Sequence, residues 1–239
     1  MEKTRITQLL LDGHMGVGDL QCLRGAVNRL LSEGGEGGDA HVLFHNHQSH
    51  GLRYGYPMVQ FRSINGQAAV VGIGDAAESV RALASLGELR VKLGERSVTL
   101  PVSRCEETYY TPQVYDAPKL YSLYRYIALT DKNVREYDNL LALTDRVIML
   151  EKILVGNMLS FFKGIGFHTD ECLEAVITAM DGEEFVTYKG VKFRTFHLHF
   201  VSNVELPDGI GLGKSTAVGF GSLRREKLDE KYLKRYSNG

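Results

Sequence analysis

The sequence predicts an α+β protein made of two sheet domains in tandem. Three observations point there: a β-α-β-β-α-β order of elements across residues 4–101, a turn-rich joint near 111–118, and a second run of strand and helix patterns beyond it. The first order is the ferredoxin-like plan. The two domains are expected at residues 1–115 and 119–239.

"TRITQLLLDG" (4–13) reads as a strand. "GDLQCLRGAVNRLLSEGG" (18–35) places Leu20, Leu23, Val27, Leu30 and Leu31 at helical spacing and stops in glycines, so it reads as an amphipathic helix. "YPMVQFRSINGQAAVVGIG" (56–74) holds two strand-like runs joined at Asn65-Gly66, a strong hairpin signal. A short helix (75–86) and a strand or hairpin over "LRVKLGERSVTLP" complete the first half. In the second half, 119–130 reads as a strand and 133–163 as one long helical stretch. A further helix is expected near 169–180, then two strands over 183–206 turning at Lys189-Gly190. A glycine loop and a last strand over "TAVGFGSLRR" close the chain, a pattern that fits the first plan only loosely.

Cys22, Cys105 and Cys172 are odd in number, far apart and form no C-x-x-C pair, which argues against a disulfide framework and for a reducing compartment. The start lacks the layout of a signal peptide, and no apolar run has the length of a membrane span, so a cytoplasmic protein is expected. The net charge of −1 hides an uneven distribution. Residues 40–74 contain no acidic side chain, and 189–225 carry six Lys or Arg against Glu205 and Asp208. Brought together by the fold, the two segments make one anion-attracting surface.

"LPDGIGLGKSTAVGFGSL" (206–223) contains Gly-Lys-Ser but is not a Walker A loop. Counting back five residues from Gly213 reaches Asp208 rather than a glycine, and the sequence that follows is β-branched rather than helical. Gly209, Gly211, Gly213, Gly219 and Gly221 instead allow positive φ and close backbone approach to a phosphate. Lys214 and Ser215 lie at the tip, and Lys192, Arg194, Arg224 and Arg225 flank it. With Arg53 and Arg62 these are the candidate contacts to a phosphate backbone.

"LFHNHQSHGLRYGYPMVQFR" (43–62) is the densest chemical segment. Three adjacent letters, "HNH", do not build a metal nuclease, and no cysteine or acid nearby completes a metal shell. No metal or cofactor is expected. Proton transfer remains. In an extended chain His45 and His47 face one way, and imidazoles titrate near neutrality, so the pair serves as general base and acid. Tyr54 supplies a donor or orienting hydroxyl. That set suits cleavage of RNA by its own 2′-OH, with cations or donors stabilising the phosphorane. His197 and His199 alternate on one strand face and read as exposed sheet residues or RNA contacts.

The histidine block and the glycine loop together resemble the CRISPR repeat-processing endoribonucleases of the repeat-associated (RAMP) superfamily. The resemblance implies two tandem ferredoxin-like (RRM-related) domains, the second a looser variant with the C-terminal glycine-rich loop. It implies metal-independent cleavage of precursor CRISPR RNA within each repeat, leaving a 2′,3′-cyclic phosphate or 3′-phosphate and a 5′-OH. Carried onto this chain, the catalytic histidine is His47 or His45, Tyr54 is the tyrosine, and the 209–221 loop holds RNA backbone or the domain interface. Some members use a catalytic lysine; none lies upstream of the histidine pair in the expected region, and Arg24, Arg29, Arg53 or Lys214 is the substitute. The implied partners are repeat RNA and subunits of a CRISPR effector complex. The alternative is a non-catalytic RNA-binding subunit of such a complex. Oligomeric state stays open between monomer and homodimer, with the apolar 133–163 stretch as a partner surface.

Overall fold

Two left-handed turns set the registers of both sheets. Asn65 and Gly66 (φ 52° and 83°) turn one hairpin, and Lys189 and Gly190 (φ 52° and 74°) turn the other, the paired positive values that tight two-residue hairpins require. The computed structural model describes residues 3–16, 18–33, 47–48, 51–52 and 55–227 of the 239.

The first half runs β1 (Thr4–His14), α1 (Leu20–Glu33), β2 (His47–Gln48), β3 (Gly51–Leu52), β4 (Val59–Ile64), β5 (Gln67–Ile73), α2 (Ala76–Ala84), β6 (Glu88–Leu93) and β7 (Arg96–Tyr110). Its antiparallel sheet has the order β4-β5-β1-β7-β6. Leaving out the added edge strand β6, this is the ferredoxin-like order of second, third, first and fourth strands. The second half runs β8 (Val114–Tyr126), α3 (Val134–Asn139), α4 (Leu143–Gly164), β9 (Ala175–Tyr188), β10 (Val191–Val204), a 3-10 turn (Thr216–Val218) and β11 (Ser222–Arg225). Its sheet, β11-β8-β10-β9, repeats that order from the opposite end. Between its third and fourth strands the glycine loop stands where the plan has a second helix. The chain is therefore a tandem ferredoxin-like pair.

The first sheet is covered on both faces, and strand parity shows how. Leu9, Leu11, Phe61 and Val70 point to α1 and α2, where they pack with Leu20, Leu23, Val27 and Val80. Ile6, Val71 and Ile73 point the other way, into the core built by the second half. A strand buried on both sides loses alternation, hence the unbroken apolar run "AAVVGI". In the second half α4 turns Leu150, Leu154, Met158, Phe161 and Phe162 inward at helical spacing.

Four expectations need correction. Residues 169–180 are not a helix, since β9 begins at Ala175. The spacing of Leu173, Val176, Ile177 and Met180 imitates a helix, but pairing along β10 prevails over that pattern. The 133–163 stretch is two helices, because Leu140 adopts an extended conformation (ψ 119°) and leaves Leu141 almost fully exposed. The joint is shorter than expected, with β8 starting at Val114. The last strand is confined to Ser222–Arg225, preceded by the single 3-10 turn. Among the described residues no helix is long and apolar enough to cross a membrane.

Candidate functional site

The glycine-rich loop closes on itself before it touches anything else. Gly209 N–H donates to Leu223 O, Leu223 N–H to Ile210 O and Leu212 N–H to Gly221 O, at 2.9–3.1 Å. The strand-like segments on either side of the loop thus zip together, while Ile210, Leu212, Val218 and Phe220 enter the core. Two further bonds tie the loop to the end of β8: Lys214 N–H to Ile127 O and Gly221 N–H to Arg125 O, both 3.0 Å. Glycine is forced here by contact. A Cβ at Gly221 would stand 1.8 Å from Leu212 O, one at Gly211 2.5 Å from Arg62 Nη1, and one at Gly213 2.6 Å from the Tyr126 ring.

The first half grips this loop through three side chains. Val59 and Phe61 face the helices, so β4 parity turns Gln60 and Arg62 toward the second half. Gln60 Oε1 accepts the Gly211 N–H at 2.8 Å, and the Tyr56 hydroxyl donates to Gly211 O at 2.8 Å. Arg62 is fully buried and donates to three loop carbonyls: Thr216 (3.2 Å), Phe220 (3.1 Å) and Ile210 (3.3 Å). Burial lowers its pKa to about 10, still far above neutrality, so the guanidinium remains charged. Burial also pushes the Tyr56 hydroxyl well above the ordinary tyrosine range, keeping it a neutral donor.

The segment that carries the histidine pair connects two elements that both reach the loop. It leaves from α1, which runs beside the Thr216–Val218 turn, and returns into Tyr56 and β4. Of its expected catalytic residues, His47 lies in β2, paired in backbone register with Leu52 of β3. His45, Tyr54 and Arg53 lie outside the described residues.

Comparison with known proteins decides the family. Residues 2–110 match the model of the Cas6b N-terminal domain, and residues 113–226 match that of the Cas6b C-terminal domain. The chain belongs to the Cas6b family. An uncharacterized protein of Methanocaldococcus jannaschii is 41% identical over 101 residues, 42% of this chain and 67% of that protein. A crystal structure of a Cas6b superposes with a TM-score of 0.81 at 21% identity, covering 93% of this chain and all of that one. A second, described as a CRISPR RNA processing endoribonuclease Cas6b, gives 0.70 at 20% identity, covering 94% of this chain and all of that one. At such identities the structural likeness speaks for the shared fold.

Within this Cas6b chain the expected RNA contacts divide. Arg62 is corrected outright: with no exposed surface it cannot touch RNA and instead binds the loop from beneath. Gly211, Gly219 and Gly221 are likewise buried. Arg194 is held by Asp138 (2.8 Å), with Glu183 at 3.7 Å, between the rings of Tyr137 and Phe185; its charge is already compensated. Arg225 pairs with Glu205 at 2.6 Å, and its N–H donates to Asp208. Half-buried Gly209, Gly213, Lys214 and Ser215, with exposed Lys192 and Arg224, remain at or near the surface. Lys214 and Lys192 lie over the rings of Phe193 and Phe185, and Arg224 donates to Asn65 across the two halves. Of the proposed lysine substitutes, Arg29 is engaged with Lys92 O, whereas Arg24 lies near Tyr188, whose ring packs on Phe220 of the loop.

A groove of about 550 Å³ opens between the halves beside Gly219, lined among others by His14, Asn65, Tyr124, His197 and His199. His199 Nε2 contacts Asp181 Oδ2 at 2.9 Å, and His197 packs edge-on against Tyr124 at 4.2 Å. Sequence reasoning passed over Tyr56, Gln60 and His14. A signal existed for Gln60: together with Arg62 it makes two long polar residues at alternate positions in the otherwise apolar "VQFRSI".

Proposed function

We propose that this chain cleaves precursor CRISPR RNA inside its repeats, without a metal ion, by attack of the substrate's own 2′-OH. It is a CRISPR RNA processing endoribonuclease of the Cas6b family, and the joint match to both Cas6b domains carries that reading. One imidazole of the His45/His47 pair takes the 2′-OH proton as the oxygen attacks the adjacent phosphorus. The other delivers a proton to the departing 5′-oxygen. One P–O bond forms and one breaks, giving a 2′,3′-cyclic phosphate and a 5′-OH. Tyr54 donates to a non-bridging oxygen, and Lys214 or Arg24 supplies the positive charge that the phosphorane requires. The outer side of the glycine loop carries the RNA backbone, while its inner side joins the halves. The mature RNA stays bound and passes to an effector complex.

The experiment is cleavage of the cognate repeat RNA by purified protein in EDTA. Cutting should persist in EDTA, and a 2′-deoxy nucleotide at the scissile position should abolish it while binding changes little. Cutting that stops in EDTA and returns with a divalent cation contradicts the proposal.

A further inference from the structure

We infer that Arg62 is a positioning residue for RNA: from beneath the glycine-rich loop it turns loop carbonyls inward and supplies an uncompensated positive charge that draws an RNA phosphate to the loop's outer side. The inference rests on the endonuclease reading above and deepens it by naming a residue that acts on RNA without touching it.

Buried cations in proteins are almost always paired with a carboxylate. Arg62 has no exposed surface, yet its partners are three neutral carbonyls and, among the described residues, no carboxylate pairs with it. Its neighbours Gln60 and Tyr56, which grip the same loop, are also neutral. Holding two halves together does not need a charge. A neutral donor in such a place would satisfy loop carbonyls without the cost of desolvating a charge, so the charge calls for another role. The geometry supplies one. Because the peptide is trans, drawing Thr216 O onto the guanidinium directs the Ala217 N–H the opposite way. Half-buried Lys214 and Ser215 lie on the same turn. Guanidinium, peptide dipole and lysine therefore present the same sign to an approaching phosphate. The buried charge acts through protein rather than bulk water, so it is weakly screened.

The test separates charge from structural support. Gln60→Glu places a carboxylate of equal size in the same polar cluster, where one oxygen still accepts the Gly211 N–H and the charge offsets that of Arg62, at the loss of the 3.1 Å bond from Gln60 Nε2 to Pro57 O. Thermal stability should change only modestly, the lost Pro57 bond being set against the new attraction to Arg62. Affinity for repeat RNA carrying a 2′-deoxy nucleotide at the cleaved position should fall about tenfold at low salt. The plot of log affinity against log salt should become shallower by about one phosphate contact. Arg62→Lys, which keeps the charge but loses the fork, should lower stability while the folded protein keeps affinity within about threefold. Arg62→Met removes the charge and also leaves three buried carbonyls unbonded, so it should lose both stability and affinity. A folded Gln60→Glu protein with wild-type affinity and salt slope overturns the inference and leaves the endonuclease reading intact. Failure of the wild-type protein to bind repeat RNA removes both.

Discussion

Alanine at position 221 is expected to destabilise the protein by roughly 3 kcal/mol or more, lowering the thermal midpoint by about 10 °C. Two effects add. Gly221 has φ +59°, a region that costs a side-chain-bearing residue energy, and its new Cβ would lie 1.8 Å from Leu212 O. That carbonyl belongs to backbone, so it cannot swing aside, and the Leu212–Gly221 hydrogen bond that closes the loop must break. Gly156 provides the control: it sits in α4 with open space around it, and alanine there should stabilise by about 0.5–1 kcal/mol. Urea unfolding of both variants checks the contrast. Equal stabilities would show that the Leu212–Gly221 closure does not hold the loop in shape.

The His45→Ala/His47→Ala double variant should lose cleavage by roughly 10³-fold or more, with affinity for uncleavable repeat RNA changed less than about threefold. Single variants assign the roles. A general base must be unprotonated, so the wild-type single-turnover rate in EDTA should rise with pH until the base has lost its proton. Removing the base should flatten that rising limb. Removing the acid should instead abolish the fall at higher pH. Undiminished cleavage by the double variant would transfer the chemistry to other residues.

Local features of the fold were legible in the chain. Asn65-Gly66 and Lys189-Gly190 fix their hairpins through backbone conformation alone, which depends on the residues themselves. The glycine cluster and the histidine block were visible as composition, and together they carried the family resemblance. What long-range packing decides was harder to read. β9 is a strand because β10 pairs with it, although its apolar spacing also suits a helix. Arg62 read as an RNA contact because arginine is usually exposed, whereas both faces of its sheet are covered and the second face belongs to the other half of the chain. The unbroken "AAVVGI" run held that information, since only a sheet buried on both sides tolerates it. Arg194 and Arg225 likewise read as free cations, but Asp138 and Glu205 come to them only through tertiary contact. The paired histidines raise a different question, which chemistry rather than packing answers.

That answer lies in the ends of the RNA. Repeat RNA cut by the purified protein in EDTA should carry a 2′,3′-cyclic phosphate (or the 3′-phosphate formed on its hydrolysis) upstream of the cut and a 5′-OH downstream, at one position in every repeat. Products ending in 3′-OH and 5′-phosphate would mean that water or a metal-bound hydroxide, and not the ribose of the substrate, attacks the phosphorus.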